Sequence, residues 1–193
     1  MNILSHAVIA GSATINVGST SKVVVDMARL HADLEGLYAN PAASTGDICT
    51  TLGAILWMKQ CASDDVSLTP AEQIYLDARE LCSQVNNGGF AQWISNGYVC
   101  RASETREALT AIGAGWAVPL VDAAINALPK RLKLAIDDGD FGELFMYIPS
   151  EKRAGRFDVL DVSFYDQDDQ LKTGGGFSEL IVSYARKHRV GLN

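Results

Sequence analysis

Two stretches of this chain concentrate side chains that can do chemistry. The first is Q-V-N-N-G-G-F-A-Q-W-I-S-N-G, residues 84–97, in which amide side chains surround two adjacent glycines. Glycine permits positive φ, and asparagine tolerates the same left-handed region while bonding to nearby backbone. The run predicts a sharp corner between two helices, with Phe90, Trp93 and Ile94 directed into a core. The alternative is a polar ligand pocket, and its candidate residues are Asn86, Asn87, Gly88, Gly89, Phe90, Gln92 and Asn96.

The second stretch is acidic. Between positions 137 and 169, ten carboxylates face three basic side chains, Lys152, Arg153 and Arg156. The ten carboxylates exceed the three basic side chains by seven, and this difference accounts for the formal net charge of the whole chain, −7. The other residues hold 13 acidic and 13 basic side chains, which balance. Gathered like charges repel one another unless they are solvated or meet a positive partner. The ten are Asp137, Asp138, Asp140, Glu143, Glu151, Asp158, Asp161, Asp166, Asp168 and Asp169.

A calcium loop in the acidic stretch is not supported. Asp166, Asp168 and Gln170 have the alternate spacing that opens such a loop. Leu171, however, stands where the loop needs Gly, and Phe177 where it needs a bidentate Glu.

Other catalytic and cofactor motifs are also missing from the sequence. Residues 174–176 are glycines but lack the Lys-Ser/Thr that follows the glycines of a phosphate-binding loop. The four cysteines, at positions 49, 61, 82 and 100, contain no C-x-x-C pair, so we expect reduced thiols rather than zinc ligands. We therefore expect no enzyme activity, no metal and no cofactor.

Composition narrows the class of protein. A chain of 193 residues, 48% hydrophobic and 20% charged, can bury the core of one domain. Its pI near 4.9 argues against direct binding to nucleic acid or to an anionic membrane. The N-terminus lacks the charged and apolar regions of a secretory signal, and no apolar run is long enough for a membrane span. We expect a cytoplasmic protein.

Hydrophobic periodicity predicts the elements that position these residues. Residues 1–20 carry no charged side chain and are interpreted as a loosely ordered arm with an edge strand. We expect one helix to begin near Ser19 or Ser21 and a second to span 47–62 after cap candidates at Ser44 and Thr45. Thr69-Pro70-Ala71-Glu72 is a capping box that opens a third helix, which leads into the glycine corner.

Further helices are expected after the corner. They begin at Ser103 and around Leu120, with a break at Gly113 and Gly115. Short helical pieces are expected around 141–148 and 160–165, with a polar loop near Gly155 between them. A terminal helix follows the glycines at 174–176. The predicted fold class is all-α, one compact domain of short antiparallel helices spanning 21–193 behind the arm at 1–20.

The order of motifs over residues 72–190 resembles a bacterial family that was first a domain of unknown function and was then named for a DNA-mimic protein. The motifs are N-N-G-G-F-A-Q-W-I-S-N, E-A-L-T-A-I-G-A, A-I-N-A-L-P, L-D-V-S-F-Y-D and a terminal helix with Tyr184. The resemblance implies an all-helical fold. It also implies an acidic surface that occupies the DNA site of a transcription regulator.

Three functions follow as hypotheses. In the first, a non-enzymatic acidic protein binds a basic DNA-binding regulator, and its contact residues are Asp137, Asp138, Asp140, Glu143, Asp158, Asp161, Asp166, Asp168 and Asp169. In the second, an immunity or antitoxin-like protein blocks a basic toxin or nuclease. In the third, a small ligand or substrate binds at the glycine corner. Each of the three hypotheses is compatible with a homodimer.

Overall fold

A computed structural model describes residues 7–9, 12–17, 21–62, 67–130, 132–133, 136, 151–171 and 176–192. Their contacts divide the chain into two compact units. The first is Met1–Gln73 with Ala185–Asn193, and the second is Ile74–Tyr184. The helices of both units confirm the predicted all-α class. That residues 1–20 form an arm separate from one helical domain stays a prediction.

In the first unit, the N-terminal residues form a small antiparallel sheet ahead of the helices. Its strands are β1 (Ala7–Ile9), β2 (Ser12–Val17) and β3 (Ser21–Asp26), in the order β1-β2-β3, with Ala13 paired to Val25. The helix predicted from Ser19 or Ser21 is therefore wrong at its start. Three consecutive valines favour a strand once β2 pairs with them.

Helix α1 (Met27–Ala39) begins where the Asp26 carboxylate accepts the N–H of Arg29 at 3.0 Å, as an N-cap residue does. Helix α2 (Thr45–Ala62) begins in the same way, because the Ser44 hydroxyl accepts the N–H of Asp47 at 3.1 Å. The buried side chains of these two helices form the core of the first unit: Leu34, Ile48, Leu52, Ile55, Leu56 and Met58.

Helix α3 (Pro70–Ser95) opens with the predicted capping box, which is confirmed. The Glu72 carboxylate accepts the N–H of Thr69 at 2.8 Å, and the Thr69 hydroxyl accepts the N–H of Glu72 at 3.3 Å. The fully buried Glu72 side chain also binds the Lys59 ammonium at 2.6 Å. Burial opposes ionisation of Glu72, but Lys59 and Thr69 together hold its pKa below the ordinary value.

The remaining elements lie largely in the second unit. A 3₁₀ turn (Tyr98–Arg101) precedes α4 (Ala102–Ala111), and another (Gly115–Ala117) precedes α5 (Val118–Asn126). The expected break at Gly113 is present, with φ +85°. Helix α6 (Glu151–Leu171) and helix α7 (Gly176–His188) follow.

The segment around Gly155 differs from the prediction. The polar loop and short helical piece expected there are one helix of 21 residues, α6, which contains Gly155. Tertiary packing accounts for the difference, since Phe157 and Phe164 lie two turns apart and are both buried. The helix predicted at 141–148 lies outside the described residues. None of the described helices combines the length and apolar character needed to cross a bilayer.

Candidate partner-binding face of the acidic helix

The predicted glycine corner is a break inside α3. Gly88 and Gly89 leave the helical conformation, and Gly89 has φ +71°, in the left-handed region that glycine favours. Such a break leaves carbonyl acceptors at the end of one helical segment and N–H donors at the start of the next. Phe90, Trp93 and Ile94 are buried directly after the break, as the sequence predicts.

Helix α6 bonds to both sides of this break. The Tyr165 hydroxyl donates to the carbonyl of Val85 at 2.6 Å, and the Asp161 carboxylate accepts the N–H of Phe90 at 2.8 Å. Asp161 and Tyr165 are four residues apart, so they lie on neighbouring turns of one side of α6. Packing α6 against the corner thus satisfies a donor and an acceptor that a continuous helix would pair internally.

The environment of the two side chains fits these roles. Burial raises the pKa of Asp161; the bonded N–H of Phe90 acts in the opposite direction, and the Asp158 carboxylate adds to the increase. Burial, with the nearby Asp161 and Cys82, also raises the pKa of Tyr165. The phenol therefore stays protonated at neutral pH and remains a hydrogen-bond donor to Val85.

The same arrangement occurs a second time, at the start of α7. The Asp168 carboxylate accepts the N–H of Phe177 at 2.5 Å, and the preceding Gly176 has φ +69°. Asp161 and Asp168 are seven residues apart, which places them on one face of α6 about 10 Å apart along its axis. Each carboxylate thus lies at a helix N-terminus, where negative charge is favourable.

An aromatic cluster lies between these two contacts. The ring of Phe164 is 6.2 Å from that of Phe90, 5.5 Å from that of Phe177 and 5.4 Å from that of Trp116. Trp93 extends the cluster, with its ring 6.4 Å from that of Phe90 in an edge-to-face arrangement. The apolar and polar contacts together fix which side of α6 faces the protein interior.

The solvent-exposed part of α6, here called its outward side, is acidic and partly apolar. Asp158, Asp166 and Asp169 are exposed there. Val159 and Val162 are exposed large apolar side chains on the same helix. Residues 157–171 contain five aspartates and no Lys, Arg or His.

A family model described as DMP19-like protein matches residues 66–188, well over half of the chain. The chain belongs to the DMP19-like protein family. The match contains the glycine corner, α6 and all of α7, so the contacts above lie within the family region. No curated protein and no solved structure matches this chain.

The corner of this DMP19-like protein is filled by its own side chains. The Gln84 amide oxygen accepts from Gln92 at 2.9 Å and from Asn96 at 2.8 Å. Asn86 donates to the sulfur of Cys82 at 3.3 Å, and Asn87 is exposed. With Phe90 and Trp93 fully buried beneath them, these bonds disfavour a ligand pocket at the corner.

The predicted contact carboxylates take different positions. Asp161 and Asp168 are half-buried on the inward side of α6, while Asp158, Asp166 and Asp169 are exposed. The other four, Asp137, Asp138, Asp140 and Glu143, lie outside the described residues. That these side chains contact a partner stays a prediction. The two inward carboxylates have a structural task that the sequence analysis missed.

A sequence signal for that task exists. Gly-Gly-Phe occurs twice, at 88–90 and 175–177, and two aspartates seven residues apart on α6 bond to the two phenylalanine N–H groups. A search for this repeat would have paired the two corners with one helix. Residue types alone leave open which of the ten carboxylates turns inward.

Two further features of the second unit belong to its packing. A cavity of about 310 Å³ is lined by Val99, Cys100, Arg106 and Ile125 among others, and Arg106 pairs with Asp122 at 2.6 Å. Burial raises the pKa of Cys100, which keeps its thiol protonated and weakly reactive.

Within the described residues, no group of three or more His, Cys, Asp or Glu is arranged to hold a metal.

Proposed function

We propose that this DMP19-like protein is a non-enzymatic DNA mimic that occupies the DNA-binding surface of a basic regulator. The observation that carries the proposal is the outward side of α6, where Asp158, Asp166 and Asp169 are exposed on a helix whose inward side is fixed. Family membership supports it, since the family is named for a DNA-mimic protein. A fixed helix presents its charges without the entropic cost of ordering a loop.

The charge density of α6, compared with that of DNA, determines how much of the partner's basic surface the helix can match. B-DNA carries about one phosphate charge per 1.7 Å of axis. Asp158 to Asp169 spans about 16 Å of helix, so duplex DNA of that length presents about ten charges where α6 presents three exposed ones. The exposed carboxylates of α6 can therefore pair with a few of the partner's basic side chains, not with all those that contact a DNA duplex of that length. The acidic residues at 137–143 add four charges from the preceding segment.

Electrostatic binding of this kind weakens as salt screens the charges. Immobilised protein should therefore capture a DNA-binding partner from lysate of its own source at low salt and release it at high salt. Duplex DNA should also release the partner, because both compete for one basic surface. Mass spectrometry identifies the captured protein.

The decisive variant is D158N/D166N/D169N, which removes exposed charge and leaves the two capping carboxylates in place. We expect it to lose the partner. The matched control, D33N/D47N/E107Q, removes three exposed charges outside α6 and should retain it. Capture that survives the α6 variant, or a partner that duplex DNA does not release, contradicts the proposal. Capture of a single toxin with a blocked active site would contradict it in favour of an immunity-type protein.

A further inference from the structure

A row of exposed apolar side chains begins on the outward side of α6 and runs obliquely to Tyr165, at the edge of the side that bonds to the corner. Val159, Val162 and Tyr165 are spaced by three residues, and their exposed fractions are 72%, 56% and 38%. Residues three apart form an inclined ridge on a helix surface, the kind of ridge that packs into the groove of a second helix. The Tyr165 hydroxyl is bound to Val85, so the ring is held in place at one end of the row.

Carboxylates lie on both sides of this row. Helical geometry places Asp158 in the adjacent ridge on one side and Asp166 with Asp169 in the adjacent ridge on the other. All three are exposed. Exposed apolar side chains rimmed by polar ones are typical of a protein-binding surface, and the sign of the rim requires a positively charged partner.

We propose that this face binds a basic amphipathic α-helix of about three turns, with a central apolar row flanked by Lys or Arg. The inference rests on the proposed function and identifies the element of the partner that makes contact. Its length follows from the distance between Asp158 and Asp169, and its helical form follows from the three-residue ridge. A polynucleotide mimic based on charge alone would not need the two valines.

The two kinds of side chain respond differently to salt. Carboxylate contacts with Lys or Arg weaken as ionic strength rises, whereas burial of valine does not rely on charge. Binding should therefore have a salt-sensitive part that depends on Asp158, Asp166 and Asp169. It should also have a salt-resistant part that depends on Val159 and Val162.

The test uses the full chain and a defined probe. The probe is a fluorescent peptide of about 14 residues with Leu at every third or fourth position on one face and Lys on both flanks. A scrambled peptide of the same composition keeps the charge and loses the apolar face. Fluorescence anisotropy at low and high salt measures Kd. Changes in the NMR chemical shifts of the α6 amides on adding the peptide locate the binding site.

We expect the amphipathic peptide to bind at least about tenfold more tightly than the scrambled one. V159S/V162S should weaken it about tenfold at both salt concentrations, and D158N/D166N/D169N about tenfold at low salt only. W57S, which alters an exposed apolar side chain on α2, is the matched control and should bind normally. Should the serine variant be poorly folded by circular dichroism, V159T/V162T replaces it and should show the same loss.

Equal affinity for the two peptides, or unchanged binding by the valine variants, overturns the inference. Self-association of the wild type that V159S/V162S abolishes in sedimentation also overturns it, because the face would then belong to a second copy. If the protein binds both peptides equally but still captures a partner that duplex DNA releases, this inference alone is contradicted. Peptide binding without such capture counts against the proposed function alone.

Discussion

The carboxylate of Asp161 accepts the backbone N–H of Phe90 at 2.8 Å, although 71 positions separate the two residues in the chain. This bond joins the acidic helix to the start of the helical segment that follows the glycine corner. Four residues further along α6, the Tyr165 hydroxyl donates to the carbonyl of Val85, which lies in the helical segment before that corner. One helix therefore stabilises both sides of a break in another.

Removing the acceptor should destabilise the protein. We expect Asp161→Ala to lower the free energy of unfolding by about 1–2 kcal/mol, the usual cost of losing an N-cap. Tyr165→Phe should lower it by about 1 kcal/mol by removing a bond to Val85. Asp166→Ala, on the exposed side of the same helix, should stay within about 0.5 kcal/mol of wild type. Urea unfolding at neutral pH measures all three, and equal losses at 161 and 166 would contradict the capping role.

The raised pKa of Asp161 predicts a pH dependence. Burial is the main cause, and it lifts the pKa above the ordinary value of 3.8. The folded protein then binds this proton more readily than the unfolded chain does, so the contribution to stability is present below 3.8 and is lost as pH rises through the folded pKa. Asp161→Asn keeps an acceptor and removes the titration. Its stability relative to wild type should rise with pH over that window, and a difference that is constant or falls with pH would rule the effect out.

Gly89 should tolerate no side chain. A Cβ there meets the Asp161 carboxylate, and φ is +71°. We expect Gly89→Ala to cost about 3 kcal/mol, from backbone strain together with loss of the cap. Gly113 has φ +85° but open space around it, so Gly113→Ala should cost only the strain, about 1 kcal/mol. Thermal unfolding of both variants separates the two effects, and equal costs would show that contact with Asp161 is unimportant.

The ion pair between Lys59 and Glu72 should contribute strongly to stability. The Glu72 side chain is fully buried, so Lys59→Met leaves a carboxylate without its cation and should cost about 3 kcal/mol at neutral pH. The exposed pair of Arg29 and Asp33 is the control, and Arg29→Gln should cost less than about 1 kcal/mol. Denaturant unfolding compares the two, and similar losses would contradict the burial argument.

The same carboxyl should contribute to acid sensitivity. Because the pKa of Glu72 is lowered in the folded protein, its contribution to stability is present above the unfolded value of 4.5 and is lost as pH falls through the folded pKa. Glu72→Gln lacks this titration. The stability difference between wild type and Glu72→Gln should therefore shrink as pH falls below 4.5, and a difference that stays constant in acid would be evidence against it.

Sequence patterns predicted the features that local chemistry determines. The capping box from Thr69 to Glu72 and the corner at Gly88 and Gly89 each depend on a few adjacent residues. The sequence predicts a helix in place of β3 because Val23 lies four residues before Met27 and so extends the apolar spacing of α1, but pairing with β2 decides the outcome. Such pairing depends on the preceding strand, so the valines alone do not predict it.

The acidic helix shows the same limit for a functional site. Its many aspartates and Gly155 lower helix propensity, so the sequence indicated only a short piece. Burial of Phe157 and Phe164 and the bonds of Asp161 and Asp168 stabilise the full length. The ten carboxylates are gathered in sequence between positions 137 and 169. Their division between capping and solvent exposure depends on contacts with residues up to 71 positions away.

Because the half-buried carboxylates that hold α6 in place are separate from the exposed ones, each set can be changed independently of the other. Substitutions at the outward positions should therefore change the surface that α6 presents without removing the bonds of Asp161 and Asp168. For protein engineering, α6 is thus a display element, held by bonds at several points, whose outer residues can be randomised to obtain new binders.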